Sequence, residues 1–295
     1  MSRVKADLLL LLVAVIWGIA FVAQKDSMVS IGPCTFVAVR FFISMTLVLP
    51  LAVKEYRRNP QPKKLFSNKR ELFLLCGTFC GGMLLQQIGI VKTTVTNAGF
   101  LTGLYVVFVP IICTFIYKEK LSRWIFPAAL TSIAGIWLLS GGRLDGFSSG
   151  DVLMIACSVV FSVQVALISR VARRMKTPFI ISVLQYAAVM LVATVGMVVF
   201  EHPTLAGLRA AALPILYAGV ISGGIAYTLQ VVAQQYTTAA ESAIIISGES
   251  VFGAIAGAVL LGERLTPVQY IGCALISAAI LLTELMPLFF RKEKV

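Results

Sequence analysis

The stretch LQQIGIVKTTVTNAGFLTGLYVVFVPIICTFIYKEKLS, residues 85–122, returns without a gap as LQVVAQQYTTAAESAIIISGESVFGAIAGAVLLGERLT, residues 229–266. Leu85/Leu229, Gln86/Gln230, Thr93/Thr237, Thr94/Thr238, Glu119/Glu263 and Leu121/Leu265 are identical at a displacement of 144 residues, and Lys120/Arg264 and Ser122/Thr266 are near matches. The same displacement pairs Asp7 with Asp151, Leu47 with Leu191, Val48 with Val192, Ala134 with Ala278 and Ile136 with Ile280. The chain therefore reads as two copies of one unit, residues 1–141 and 150–291.

Working outward, each copy contains five apolar runs of the length that crosses a bilayer. The ten lie near 7–25, 33–53, 71–91, 96–117, 124–140, 151–170, 178–200, 211–234, 240–261 and 267–289. With 59% hydrophobic and 13% charged residues in a chain of 295, too little polar surface remains to coat a separate soluble domain. An odd number of spans per copy turns the second copy over relative to the first, and inverted repeats of this kind build a site at their interface near the bilayer midplane. The predicted fold is an all-α membrane protein of ten transmembrane helices, arranged as two inverted five-helix repeats around a central cavity.

The net charge of +12 is distributed by loop. With the N-terminus inside, the cytoplasmic segments hold nineteen cations, among them Arg3, Lys5, Lys54, Lys63, Lys64, Arg123, Arg173, Arg291, Lys292 and Lys294. The outer segments hold five, Lys25, Lys92, Arg143, Arg209 and Arg264, and Arg40 lies within a span. This asymmetry follows the positive-inside rule, so the basicity implies contact with anionic lipid and no nucleic acid. Both termini are expected in the cytoplasm, in a multi-pass protein of the plasma (inner) membrane. Arg3 and Lys5 before an apolar run mimic a signal peptide, but the repeat counterpart 151–170 argues that the first segment is a retained span. Six scattered cysteines without a CxxC read as small core residues.

Polar residues inside spans point to a site, because burying them in hydrocarbon is costly. Glu249 is the one carboxylate near mid-membrane, and Arg40 lies in span two; the two could pair or each face carbonyls or water. Asn97, Leu101 and Tyr105 share a helix face at i, i+4, i+8, and Glu241, Ile245 and Glu249 are their repeat equivalents. Trp17 corresponds to Phe161, with Gln164 one turn further on; Tyr227 and Gln230 lie on span eight, and Gln86 near the outer end of span three. The candidate solute-binding set is thus Trp17, Arg40, Gln86, Asn97, Tyr105, Gln164, Tyr227, Gln230 and Glu249, an aromatic and amide lining suited to a small amphipathic solute. Gly77-x3-Gly81-Gly82 recurs as Gly219-x3-Gly223-Gly224 at a displacement of 142, so two residues are inserted in span eight; both pairs are expected at close helix contacts. A lone His202 in an outer loop offers no metal cluster or catalytic triad, and the absence of a Walker loop argues against an ATP-driven pump. No cofactor is implied.

These features resemble the drug/metabolite transporter superfamily, specifically its ten-helix EamA-type members. The matching stretches are Ala14-Val-Ile-Trp-Gly18, Val39-Arg-Phe-Phe42, Ala98-Gly-Phe-Leu-Thr-Gly-Leu-Tyr-Val-Val-Phe-Val-Pro110, Gly248-Glu-Ser-Val-Phe252 and Gly262-Glu-Arg-Leu-Thr266, the last echoed by Lys118-Glu-Lys-Leu-Ser122. The resemblance covers essentially the whole chain. It implies a central cavity lined by helices one, three, four, six, eight and nine, and export of amino acids or other small metabolites as the commonest activity. Two departures stand out: span one lacks the embedded glutamate that small multidrug relatives use for proton exchange, and Ser250 replaces the proline that often follows the glutamate of span nine.

The expectation is therefore a secondary transporter exporting a small organic metabolite by alternating access, with the solute and membrane lipid as its partners. A homodimer is compatible with the sequence. The alternatives are a non-transporting membrane sensor or structural subunit and, further off, an intramembrane enzyme, for which no buried His/Asp or Ser/Lys constellation is present.

Overall fold

A computed structural model describes residues 1–58, 69–93, 95–142, 148–260 and 264–290, and every regular element among them is a helix. Thr94, Lys63, Lys64, Arg143, Gly262, Glu263, Arg291, Lys292 and Lys294, used above, lie outside the described residues. In chain order the helices are α1 (Arg3–Ser27), α2 (Pro33–Arg58), α3 (Lys69–Val91) and α4, built from Val95–Gly103, Tyr105–Ile111 and a π-helical turn Ile112–Ile116. They continue with α5 (Ile125–Leu139), α6 (Ser149–Met175) and α7 (Pro178–Phe200). After a short helix, Leu205–Ala210, comes α8: Ala212–Leu216, a π-helical stretch Tyr217–Tyr227, and Thr228–Ala233. Last are α9, in two parts, Ala239–Ile246 and Glu249–Leu260, and α10 (Pro267–Phe290). Among the described residues, eight of these helices are long and apolar enough to cross a membrane, and α5 and the stretch Pro267–Thr283 of α10 are shorter apolar helices.

Local chemistry explains the boundaries. Ser148 and Thr238 open α6 and α9 with capping boxes closed by Asp151 and Glu241. Proline stands at the first position of α2, α7 and α10, where its missing N–H costs nothing. Lys176 ends α6 in the left-handed region at φ 54°. On α7, Val195, Val198, Val199 and Phe200 are all exposed, an apolar face suited to contact with lipid or another apolar surface.

The packing exchanges helices between the two copies. The closest partners are α2 with α7, α5 with α10, and α3 with α6, while α1 lies along α8 and α9. Carboxylates near the ends of α2 and α7 cap each other's starting turns. Glu55 near the end of α2 accepts from the Ile180 amide at 3.0 Å. Glu201, just past α7, accepts from the Cys34 and Thr35 amides at 2.8 Å and from the Thr35 hydroxyl at 2.7 Å. Each carboxylate satisfies donors that a helix start leaves without partners, and the reciprocity requires α2 and α7 to run antiparallel.

The π-helical stretch of α8 accounts for the two-residue insertion in the glycine motif. Winding at i→i+5 in place of i→i+4 takes up almost one extra residue per turn. The 11-residue stretch thus absorbs about two and returns Leu229 and Gln230 to register with Leu85 and Gln86. Neighbouring helices supply donors to its carbonyls: Ser44 Oγ to Gly219 O at 2.7 Å, Trp17 Nε1 to Ser222 O at 3.3 Å, and Tyr186 Oη to Gly223 O at 2.9 Å.

The glycine expectation holds for only one of the two helices. A Cβ on Gly219 would meet Ile43 Cβ at 2.9 Å and the Arg40 carbonyl at 3.0 Å, and one on Gly223 would strike Ser44. Gly77, by contrast, has nothing within 4 Å, and Gly81 meets only Val160 Cγ1 at 3.6 Å. Helix α3 instead presses on α6 through Gly82, against the Phe161 ring, and Gly89, against the Gly150 carbonyl. These two lie two turns apart on a different face from Gly77.

Candidate functional site

Two helix breaks place the central side chains. Helix α4 is interrupted at Leu104 and α9 at Ser247–Gly248, positions that the 144-residue displacement superposes, each just before its key residue. Beyond the breaks, the Tyr105 hydroxyl donates to Glu249 Oε1 at 3.1 Å. Repeat-equivalent residues thus meet face to face, both buried. Gly18 lets α1 press against α9 at this level, because a Cβ there would lie 2.6 Å from both the Glu249 carbonyl and the Gly253 nitrogen.

A cavity opens around this pair. Helix α1 contributes Trp17, Ala20, Phe21 and Gln24, and α3 contributes Gln86. From α6 come Phe161, Gln164 and Val165; from α8, Ser222, Tyr227 and Gln230; from α9, Ile246 and Glu249, facing Tyr105 of α4. The lining therefore draws on helices one, three, four, six, eight and nine, and Glu249 is its one ionisable carboxylate. About 50 Å³ is left for the centres of water-sized molecules, room for a few waters or the compact end of a small solute.

The Trp17 and Tyr227 rings stack at 4.4 Å between centroids, tilted by 47°. The Tyr227 hydroxyl donates to Met83 Sδ, 3.5 Å away, with the Arg40 guanidinium near it on the side away from the cavity. Gln164 Nε2 donates to Gln185 Oε1 at 3.2 Å, which steadies one amide of the wall. Planar rings with fixed orientations, side-chain amides and a hydrogen-bonded carboxylate can hold a solute that has an apolar body and a polar or cationic end.

Seven of the nine sequence candidates, Trp17, Gln86, Tyr105, Gln164, Tyr227, Gln230 and Glu249, are brought together on this cavity. Arg40 and Asn97 are not. Arg40 forms no ion pair with Glu249; its guanidinium lies 4.8 Å from the Phe41 ring centroid and 5.5 Å from that of Phe36, in a layer behind Tyr227. Asn97 stands eight residues before Tyr105, about 12 Å along the axis, and donates to Asp151 Oδ1 at 3.4 Å. Asp151 also accepts from Thr93 Oγ1 at 2.5 Å and from the Ser148 amide at 2.7 Å, so Asn97 belongs to a helix-end tie. Its repeat equivalent Glu241 behaves alike, accepting from Arg3 at 3.0 Å and from Thr237 at 3.2 Å.

Sequence reasoning missed Ala20, Phe21, Gln24, Val165, Ser222 and Ile246. Phe21 and Gln24 follow Trp17 at i+4 and i+7, and Val165 follows Phe161 at i+4, so α-helical phase would have found them. Ser222 precedes Tyr227 by five residues, a spacing that shares a face in a π-helix and not in an α-helix.

The sequence model of the EamA-like transporter family matches residues 4–141 and again 148–285. An uncharacterized transporter of Archaeoglobus fulgidus is 34% identical over 284 residues, which cover 96% of this chain and 87% of that protein. One solved crystal structure of a protein superposes over 100% of both chains with a TM-score of 0.79 at 18% identity, a likeness of fold alone.

Proposed function

Given that this chain belongs to the EamA-like transporter family, and is thus an integral, multi-pass membrane transporter, we propose that it exports a small amphipathic metabolite, such as an amino acid or related amine, as a secondary transporter working by alternating access. In this reading α5 and α10 complete ten spans in two inverted repeats, with both termini in the cytoplasm of a plasma-membrane protein. The antiparallel pairing of the equivalent helices α2 and α7, with their reciprocal carboxylate caps, supports the inversion.

One observation carries the reading: the hydrogen bond from Tyr105 to Glu249 joins equivalent residues of the two copies in the middle of the cavity. A site that straddles the interface of the repeats is sensed by both, so its occupancy can bias how they pack. The solute's amine pairs with the Glu249 carboxylate, and its apolar part lies against Trp17 and Tyr227. Charge-assisted contacts in a water-poor cavity supply the recognition.

The test is Glu249→Gln in proteoliposomes, with amino acids and amines as the solute panel. The amide oxygen still accepts from Tyr105, so the fold is kept. Flux per folded molecule is expected to fall about 10- to 100-fold, the factor of one lost charge-assisted bond. Unchanged flux together with lowered thermal stability would make Glu249 a helix tie and remove it from the site.

A further inference from the structure

Helices around the cavity fall into two bodies. Helix α1 packs along α8 and α9, and α6 packs along α3 and α4, whereas α1 touches α3, and α6 touches α8, only sparsely. The ties from Arg3 to Glu241 and from Thr93 and Asn97 to Asp151 each lie within one body. Two cations do the opposite and bridge the bodies. Lys25, near the end of α1, donates through Nζ to the carbonyls of Ile90 at 2.7 Å and Thr93 at 3.0 Å, just past the end of α3. Arg173, near the end of α6, donates through Nη2 to the carbonyl of Thr237 at 3.1 Å, past the end of α8.

Thr93 and Thr237 are repeat equivalents, so the two cations dock on the same carbonyl of the two copies. The donors themselves are not equivalent: the displacement pairs Lys25 with Ser169 and Arg173 with Val29. The Ile90 carbonyl is in the last turn of α3, where a helix end leaves carbonyls without partners and the dipole favours a cation; the Thr237 carbonyl lies in the turn between α8 and α9, directly before the Thr238 cap. One docking site lies at the end of the molecule that carries Asp151, the other at the end that carries Arg3.

We propose that Lys25 and Arg173 are the two gate residues of the transport cycle, Lys25 closing the outer mouth between α1 and α3 and Arg173 the inner mouth between α6 and α8. The assignment rests on the alternating-access reading above. Opening to either side separates the bodies at one face, so one cation leaves its carbonyls while the other stays docked. The two seals are unequal. Behind Arg173, buried Leu10, Val109, Val165 and Ala239 pack the bodies together; at the Lys25 end the partly buried Phe21 of α1 and Met28, just past it, pack on the cluster around Ile90. Lys25 therefore has the larger share of its gate.

The test places a single reporter, Ala20→Cys on the cavity wall, in a protein whose six native cysteines are replaced. Labelling by a membrane-impermeant maleimide is timed in right-side-out and inside-out vesicles. Lys25→Met should raise the outer labelling rate relative to the inner by about two- to thirtyfold, the range expected for a cation at a helix C-terminus. Arg173→Met should shift the ratio the other way, by a smaller factor, and Lys25→Arg, which keeps the charge, should restore it. If Lys25→Met lowers yield, Lys25→Gln is used with the same expectation, and thermal unfolding confirms that each variant is folded. A ratio unchanged in folded Lys25 and Arg173 variants, or moved in the same direction by both, overturns the assignment. Opposed shifts with the sides exchanged keep the gates and overturn the membrane orientation. Opposed shifts in a protein that moves no solute keep the gates and overturn the transport reading.

Discussion

Tyr105 and Glu249 make different demands on each other, and that sets an order of effects. Tyr105→Phe deletes the donor and leaves Glu249 Oε1 buried without it, a loss of about 1–3 kcal/mol. Glu249→Gln keeps an acceptor for the phenol and should cost less. Thermal unfolding of the two variants in one detergent is expected to rank Tyr105→Phe as the less stable; the reverse ranking would mean that the bond is not made. The partnership of these positions is legible in the sequence because it follows from the 144-residue displacement alone. The position of Arg40 is not: an arginine in a span needs some compensation, but only the folded chain shows that the Phe36 and Phe41 rings supply it in place of a carboxylate. Asn97 lies off the cavity for a similar reason, since helical phase says which face it shares with Tyr105 and not how far along the axis the cavity reaches.

At the scale of the element, the informative contrast lies between the glycines of α3 and of α8. The same motif is spent differently, since α8 winds as a π-helix against α2 while α3 remains α-helical. Gly219→Ala and Gly223→Ala should each destabilise by about 1–3 kcal/mol through overpacking on Ile43, Ser44 and the Arg40 carbonyl. Gly77→Ala and Gly81→Ala have room for the added methyl and should stay within about 0.5 kcal/mol of the parent. Thermal unfolding of the four variants checks this, and equal losses in both helices would contradict the packing described. The two-residue insertion was readable from the change of displacement between motifs. What absorbed it was not, because π winding persists only where Ser44, Trp17 and Tyr186 reach the loosened carbonyls.

For the whole molecule, the charge asymmetry makes a prediction that is independent of the site. In a cysteine-free protein, Leu205→Cys should react with impermeant reagent added outside cells, and Lys69→Cys should react only after permeabilisation. The opposite pattern would turn the molecule over and exchange the faces assigned to Lys25 and Arg173. Sequence alone determined that the chain is a bundle of apolar helices in two copies, and which residue pairs are equivalent. Those properties are one-dimensional: hydropathy, spacing and the order of charges survive without any knowledge of contacts. Tertiary structure alone decided that Ser222 faces the cavity, that Arg40 stands behind Tyr227, and that two non-equivalent cations dock on equivalent carbonyls. The docking depends on which backbone group lies within about 3 Å of a side-chain tip, and the other two on the distance between side chains of neighbouring helices. That distance is set by how helices far apart in sequence are wound and packed, and no periodicity along the chain records it.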